Sequence, residues 1–138
     1  MKLLQTLTFL LVLGLCLPLQ AQEKKQKTRS FYAFAYGVDL KDSTVYLSAI
    51  QELPDLPVAK NNEPEFRSFY SKQMADYLQS SLSVPNAVTA VVYEAKKKNI
   101  EKKYALIRKK SRQSQNRNLI EITANDFRLK RIVAEEAP

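Results

Sequence analysis

The sequence predicts a single α+β domain: one mixed sheet of four or five strands, with two amphipathic helices packed on one face of the sheet. Three observations support this fold class. Strand-like and helix-like segments follow the order β-β-α-β-α-β, with a final β segment as an option. Two segments carry apolar residues at the 3.6-residue spacing of a helix. The length that remains after an N-terminal signal is that of one ordinary domain.

The N-terminus has the three parts of a secretory signal peptide. Lys2 supplies the positive start, an apolar run extends from Leu7 to Leu17, and Ala21 is the small residue before the expected cut. The run is short for a bilayer span of about 20 residues. A retained anchor and lipid attachment at Cys16 stay open as alternatives, although Leu15 is not the small residue that lipoprotein processing needs. The predicted organisation is a signal peptide at 1–21, a disordered lead-in at 22–29, a single α+β domain at 30–133 and a frayed tail at 134–138.

The domain is expected to open with a β-hairpin. Ser30 to Leu40 is apolar on both of its alternating faces, which predicts a strand that is covered on both sides. Thr44 to Ile50 is a second β-branched and aromatic run, and Asp39 to Ser43 between the two is typical of a turn. Gln51 to Asn61 contains two prolines and is predicted to be a loop, because proline removes backbone donors.

The clearest helix signal follows this loop. Asn62 is the expected N-cap, Pro64 suits the first turn, and Glu65 lies three residues after the cap, as in a capping box. Apolar side chains then recur at helical spacing, so this face is expected to be buried against the sheet. They are Phe66, Phe69, Tyr70, Met74, Tyr77, Leu78 and Leu82.

The second half of the chain is predicted to contain one more helix between short strands. Val88 to Tyr93 and Leu119 to Thr123 run apolar like strands, and Phe127 to Ile132 is the optional last strand. The helix extends from Ala95 to about Arg112. Because each helical residue advances about 100° around the axis, one narrow face collects apolar side chains and the opposite side collects lysines. The apolar face is Ile100, Tyr104 and Ile107, and the opposite stripe is Lys98, Lys102 and Lys109.

Positive charge is concentrated around this second helix. Between Lys96 and Arg117 there are ten basic residues and a single acidic one, Glu101. A localised basic face suits a polyanion, such as anionic lipid headgroups or an acidic glycan, whereas a solvated face that aids solubility is the plain alternative. Nucleic acid is not expected as a partner, because no known reader motif is present. The candidate binding residues are Lys98, Lys102 and Lys109, flanked by Lys103, Arg108, Lys110 and Arg112.

Several chemistries are excluded by composition. The chain has no histidine, and its single cysteine, Cys16, lies in the predicted signal. Ser-His-Asp and Cys-His catalysis, the usual zinc sites and thiol redox chemistry are therefore not available to the processed domain. Only two glycines are present, too few for phosphate-binding loops. No catalytic residue, metal ligand or cofactor is predicted. Two carboxylate pairs, Glu52 with Asp55 and Glu63 with Glu65, leave acid–base chemistry as an alternative.

The sequence resembles small secreted or periplasmic proteins of unknown function of the Bacteroidetes type. The resemblance is carried by the signal ending Leu19 to Gln22, the Tyr-rich hairpin Phe31 to Ile50 and the lysine-rich second helix. It implies an exported location and assigns no activity or site residue.

Three functions are therefore open. The first is a non-enzymatic domain that binds or assembles with another component of the cell envelope. The second is a polyanion-binding module that uses the lysine-rich helix, and the third is an enzyme that uses carboxylates or a tyrosine. The partner itself is unknown at this point. An acidic envelope component or an anionic surface is the kind that the charge pattern favours.

Overall fold

The computed structural model describes residues 26–132, which form one mixed sheet of five strands and two helices. An α+β fold with a single mixed sheet is thus confirmed. The helices are α1 (Arg67–Leu82), between the third and fourth strands, and α2 (Lys97–Gln113), between the fourth and fifth. The strands are β1 (Thr28–Asp39), β2 (Val45–Ser48), β3 (Gln51–Pro57), β4 (Ala87–Glu94) and β5 (Leu119–Ile122).

The long strand β1 is the centre of the sheet. One of its edges pairs with β4, antiparallel, from Tyr32 opposite Glu94 to Asp39 opposite Ala87. Its other edge pairs with β2 and then with β3, both antiparallel. β5 lies parallel to β2 on the far side, with Val45 opposite Leu119. The sheet therefore ends at β4 on one side, and at β3 and β5 on the other.

The two helices cover opposite faces of the sheet, so the prediction that both pack on one face is wrong. On one face, Ala33 and Ala35 of β1 contact the core that contains Tyr70, Met74 and Leu78 of α1. On the other face, Phe34 of β1 packs with Leu47 and with Ile100 of α2. Neighbouring residues of a strand point to opposite faces. Since β1 is apolar on both, each face needs a cover of its own, and each helix supplies one.

The turn between β1 and β2 is confirmed, and two aspartates stabilise it. The backbone N–H of Lys41 donates to Asp39 Oδ1 at 2.9 Å, and the N–H of Thr44 donates to Asp42 Oδ1 at 3.0 Å. The second bond favours the charged carboxylate and lowers the pKa of Asp42. Both carboxylates thus serve the local backbone.

β3 occupies most of the segment that the sequence predicts as a loop. Leu53 lies opposite Phe31 and Leu56 opposite Arg29, so β3 has one extra residue between these two pairs. Asp55, within this bulge, has a φ of 51°. Prolines are tolerated in β3 because it is an edge strand that pairs with β1 alone, and a bulge already interrupts its ladder.

The N-terminal limit of the sheet also differs from the prediction. Thr28 and Arg29 belong to β1, because they pair with Pro57 and Leu56 of β3. The prediction of disorder at 22–29 is therefore wrong for these two residues. The predicted signal peptide at 1–21, residues 22–25 and the predicted frayed tail at 134–138 lie outside the described residues.

α1 begins later than predicted, and Asn62 is not its N-cap. The residue before the helix is Phe66, which has a φ of 62° and no side-chain capping bond. Asn62 lies instead in a turn, where its N–H donates to the Ala59 carbonyl at 3.0 Å. This turn lets the chain fold back, so that Val58 pairs with Pro64 before the helix starts. The predicted apolar face is correct for its centre, where Tyr70, Met74 and Leu78 are buried, but Leu82 is 39% exposed.

The optional last strand does not form. Residues 127–132, called here the C-terminal strap, belong to no strand and have no ladder partner among the described residues. Phe127 and Leu129 are nevertheless buried in the core beneath α1. The backbone of the strap is held by side chains, chiefly those of Gln51 on β3 and Gln73 on α1. The strap thus lies between α1 and β3 and is bonded to both.

Candidate functional site

The candidate site is the outer surface of α2, and its orientation follows from the opposite, apolar face. Ile100 is fully buried, and the ring of Tyr104 meets Phe34 edge-to-face with centroids 5.1 Å apart. Burial raises the pKa of the Tyr104 hydroxyl, and the nearby Glu121 carboxylate acts in the same direction. The predicted apolar face of this helix is therefore confirmed, with Ile107 packed at its edge. The lysine stripe on the other side must face solvent.

The lysines of the stripe have no acidic neighbour in the part of the chain that the structure describes. Lys98, Lys102 and Lys109 are exposed, and within residues 26–132 no carboxylate lies within 4.0 Å of their amino groups. The same holds for Lys110 among the predicted flanking residues. Four of the seven predicted site residues are thus free to meet an external anion.

The other three predicted residues are engaged in ion pairs at the borders of the helix. Lys103 contacts Glu94, the last residue of β4. Arg108 and Arg112 both reach Glu121 of β5, at 2.8 and 3.2 Å. Arg108 also donates a long hydrogen bond from Nη2 to Glu121 Oε2, at 3.4 Å. These pairs attach α2 to both of the strands that flank it.

Two features of this surface were missed by sequence reasoning. Leu106 is 52% exposed and lies between Lys102 and Lys109 on the helix surface. Lys97, in the first turn, adds a further exposed amino group, with Glu101 at 4.0 Å. Leu106 could have been found from the helical spacing, since it falls outside the Ile100–Tyr104–Ile107 face. The roles of Glu94 and Glu121 could not, because they depend on which strands lie beside α2.

A separate cavity lies at the end of β4. It has a volume of about 510 Å³ and lies between β4 and the loop that precedes α1. Its two carboxylates, Glu63 and Glu94, are each paired with a cation, Arg67 and Lys103. Burial raises the pKa of Tyr93 in its wall still further above neutral pH, so this phenol carries no charge there. The cavity thus presents neutralised carboxylates and a neutral phenol.

The carboxylate pairs considered from the sequence are not brought together as acid–base pairs. Glu52 and Asp55 are exposed on β3, where the Asp55 backbone forms the bulge. Glu63 accepts from Asn61 and Arg67, and Glu65 accepts from Gln26. Among residues 26–132, no three His, Cys, Asp or Glu side chains converge in a way that would hold a metal ion.

Comparison with known proteins does not assign this chain to a family. No protein-family model matches the chain, and neither curated proteins nor solved structures give a significant match. In the region that the structure describes, neither helix has the length and apolar character needed to cross a membrane.

Proposed function

We propose that this protein is a non-enzymatic binding domain of the cell envelope, made for export, that attaches to a polyanion through the outer face of α2. The observation that carries the proposal is the division of the basic residues of α2. Those at the borders are paired with Glu94 and Glu121, whereas Lys98, Lys102 and Lys109 have no such partner among the described residues. A charge that the domain itself does not compensate suits an external anion.

The electrostatics of the helix support the same proposal. α2 contains eight basic residues and one acidic residue. Its first turn carries Lys97 and Lys98 and no acidic side chain, although the N-terminal end of a helix is already positive. Each misplaced charge costs about 0.3–1 kcal/mol, and like charges four residues apart repel one another. A helix with a purely structural role would be more stable with mixed charges, so an anionic partner explains the arrangement.

Leu106 favours a lipid surface over a glycan as the source of the anions. An exposed leucine surrounded by lysines lets a helix bury apolar area at the headgroup boundary while the amino groups meet lipid phosphates. An acidic glycan offers the same anions without an apolar layer. The shared chemistry is an anionic, phosphate- or carboxylate-rich surface, and Leu106 distinguishes the two sources.

The proposal is tested with vesicles that contain anionic phospholipid and, in a second arm, with an acidic polysaccharide. The triple variant Lys98→Gln, Lys102→Gln, Lys109→Gln should lose roughly 100-fold or more in vesicle affinity at low salt, since each lysine near an anionic surface contributes about 1 kcal/mol. A matched control changes Lys41, Lys60 and Lys130 to Gln, which removes the same charge from other exposed positions. This control should bind nearly as well as the native protein.

Leu106→Gln separates the two sources of anions. It should weaken vesicle binding and leave polysaccharide binding unchanged if lipid is the partner. Binding of the native protein should weaken steeply as salt is added, because the contacts are between charges. The proposal is overturned if the native protein shows no salt-sensitive binding in either arm, or if the control triple loses as much affinity as the α2 triple.

A further inference from the structure

The outer edge of β4 is the least protected edge of the sheet. From Ala87 to Tyr93 the strand has no charged residue and no proline. Native edge strands normally carry charges, prolines, bulges or a covering segment that prevents pairing with other chains. β3 has several of these protective features, namely two prolines, a bulge at Asp55 and the C-terminal strap beside it. Among the residues that the structure describes, β4 has none of them, whereas β5, the other free edge, has only four residues and carries Glu121.

The backbone of β4 presents a regular row of unpaired groups. The N–H groups of Ala35 and Asp39 in β1 donate toward the β2 side, to Ser48 Oγ and to the Thr44 carbonyl. In an antiparallel ladder the residues alternate between the two neighbours. The even-numbered residues of β1 therefore bond to β4, through Val88, Ala90, Val92 and Glu94.

It follows that the N–H and C=O groups of the remaining β4 residues point outward. These residues are Ala87, Thr89, Val91 and Tyr93. Within residues 26–132, no other strand pairs with this edge and no loop hydrogen bond reaches these backbone groups. Val88, on the α2 face of the same strand, is 58% exposed. The edge thus combines unpaired backbone with exposed apolar surface.

We propose that β4 pairs with β4 of a second copy of this chain, antiparallel about a two-fold axis perpendicular to the sheet. Such an axis keeps the α2 faces of both sheets on the same side. Residues that lie directly opposite each other have their side chains on the same face, so an even-numbered residue must lie opposite an even-numbered one. With Ala90 on the axis, Ala87 lies opposite Tyr93 and Thr89 opposite Val91 of the second copy. All four outward residues then gain a backbone partner, and Val88 packs against Val92 of the second copy.

A second copy suits this edge, because in this register every outward group of the strand gains a backbone partner and the exposed Val88 meets an apolar side chain, Val92. The face of the sheet that α1 covers also leaves room for a second copy. α1 lies along β4, and the Thr89 hydroxyl donates to the Ser71 carbonyl at 2.9 Å. On this side α1 carries the small residues Ser71 and Ala75 along its middle and the exposed Leu82 at its end, so a second α1 can approach to the 8–10 Å of packed helices. Glu94, the only charge of the strand, is neutralised by Lys103.

The dimer would present both α2 helices on the same side of a ten-stranded sheet. Two basic faces could then meet one anionic surface together, which raises the overall affinity without a new contact. The dimer does not depend on that function, since it is inferred from the edge alone. Oligomeric state and salt-sensitive binding are separate measurements, so either inference can fail without the other.

The first test is sedimentation equilibrium of the native protein and of Val88→Lys across a range of concentrations. The native protein should form a dimer at micromolar concentrations, as expected of a small interface. Val88→Lys places a charge against Val92 of the second copy and should weaken the dimer by at least tenfold. Leu40→Lys is the matched control, since Leu40 is 69% exposed and lies in the β1–β2 turn. This control should dimerise like the native protein, and all three should melt at similar denaturant concentrations when they are diluted until each is monomeric.

The second test checks the register with cysteines in a Cys16→Ser background, in which the introduced thiol is the only one. Ala90→Cys places two thiols next to the two-fold axis and should form a disulfide-linked dimer rapidly under mild oxidation. Val88→Cys is more exposed but lies about 13 Å from its own copy, which is too far for a disulfide. The proposal is overturned by a monomeric native protein at all concentrations, by a dimer that survives Val88→Lys, or by equal cross-linking of the two cysteine variants.

Discussion

Gln51 and Leu129, 78 residues apart in the chain, are joined by two hydrogen bonds through the glutamine side chain. Gln51 Nε2 donates to the Leu129 carbonyl at 2.9 Å, and the Leu129 N–H donates to Gln51 Oε1 at 2.7 Å. Gln73 of α1 makes the same pair of bonds to Lys130, at 2.9 and 2.7 Å. Each side-chain amide thus replaces the neighbouring strand that the C-terminal strap lacks. These bonds explain how the strap is held without belonging to the sheet.

Removal of the Gln51 amide should loosen the strap. Gln51→Ala leaves the N–H and C=O of Leu129 without partners in a partly buried position, so the free energy of unfolding should fall by about 1–3 kcal/mol. Urea unfolding measures this loss. Gln79→Ala, at an exposed position of α1, is the control and should change stability by less than about 0.5 kcal/mol. An equal effect of the two variants would show that the side-chain bonds to the strap do not contribute.

Residues of α1 differ in burial, so their replacement by alanine should lower the free energy of unfolding by different amounts. Leu78 is fully buried, whereas Phe69 is only partly buried and has Phe66 as its ring neighbour, 6.2 Å between centroids. Leu78→Ala should destabilise by about 2–5 kcal/mol, and Phe69→Ala by less than the roughly 3–5 kcal/mol of a buried phenylalanine. Denaturant melts of both variants provide the comparison. A larger loss for Phe69→Ala than for Leu78→Ala would contradict this placement of the helix.

Gly37 is predicted to be intolerant of a methyl group because of Leu78. A Cβ added at Gly37 would lie 2.6 Å from Leu78 Cδ1 and 3.3 Å from Thr89 Cγ2. Leu78 is fully buried and cannot move aside without disturbing the core. Gly37→Ala should therefore cost about 1–3 kcal/mol. In the Leu78→Ala background the same change should cost distinctly less, because the clashing methyl is gone, and a double-mutant cycle measures this coupling. Strict additivity would rule out the close contact.

Alkaline pH should destabilise the fold through its buried phenols. Burial raises the pKa of Tyr93 above its ordinary value of 10.0. A group with a raised folded-state pKa stabilises the folded state fully below the unfolded pKa, and that contribution is lost as the pH rises through the folded value. Tyr93→Phe cannot ionise, so its stability relative to neutral pH should fall less steeply above about pH 10. Unfolding measured at neutral and alkaline pH gives the comparison. Identical alkaline profiles of the two proteins would be the contrary result.

Some features of the fold depend on single elements, and the sequence alone predicts them. The alternating pattern of β1 shows that both of its faces are buried, and the spacing of Ile100, Tyr104 and Ile107 shows which side of α2 packs on the sheet. The lysine stripe follows from the same spacing, since the side of a helix opposite its packed face must be exposed. The Asp39–Ser43 turn is predicted because its stabilising bonds are local. In each case the physical cause lies within a few residues of the chain.

Other features depend on which elements meet, and only the tertiary structure determines them. The side of the sheet that each helix covers, the pairing of Glu121 with Arg108 and Arg112, and the Gln51 bonds to Leu129 all join distant parts of the chain. β3 forms in spite of its prolines because β1 extends far enough to pair with it. This stabilisation comes from a distant part of the chain, so the local strand propensity of β3 does not predict it. The outward-pointing N–H and C=O groups of β4 also depend on the tertiary structure. These groups have no partner among the described residues because the strand lies at the edge of the sheet, which no local pattern in residues 87–94 shows.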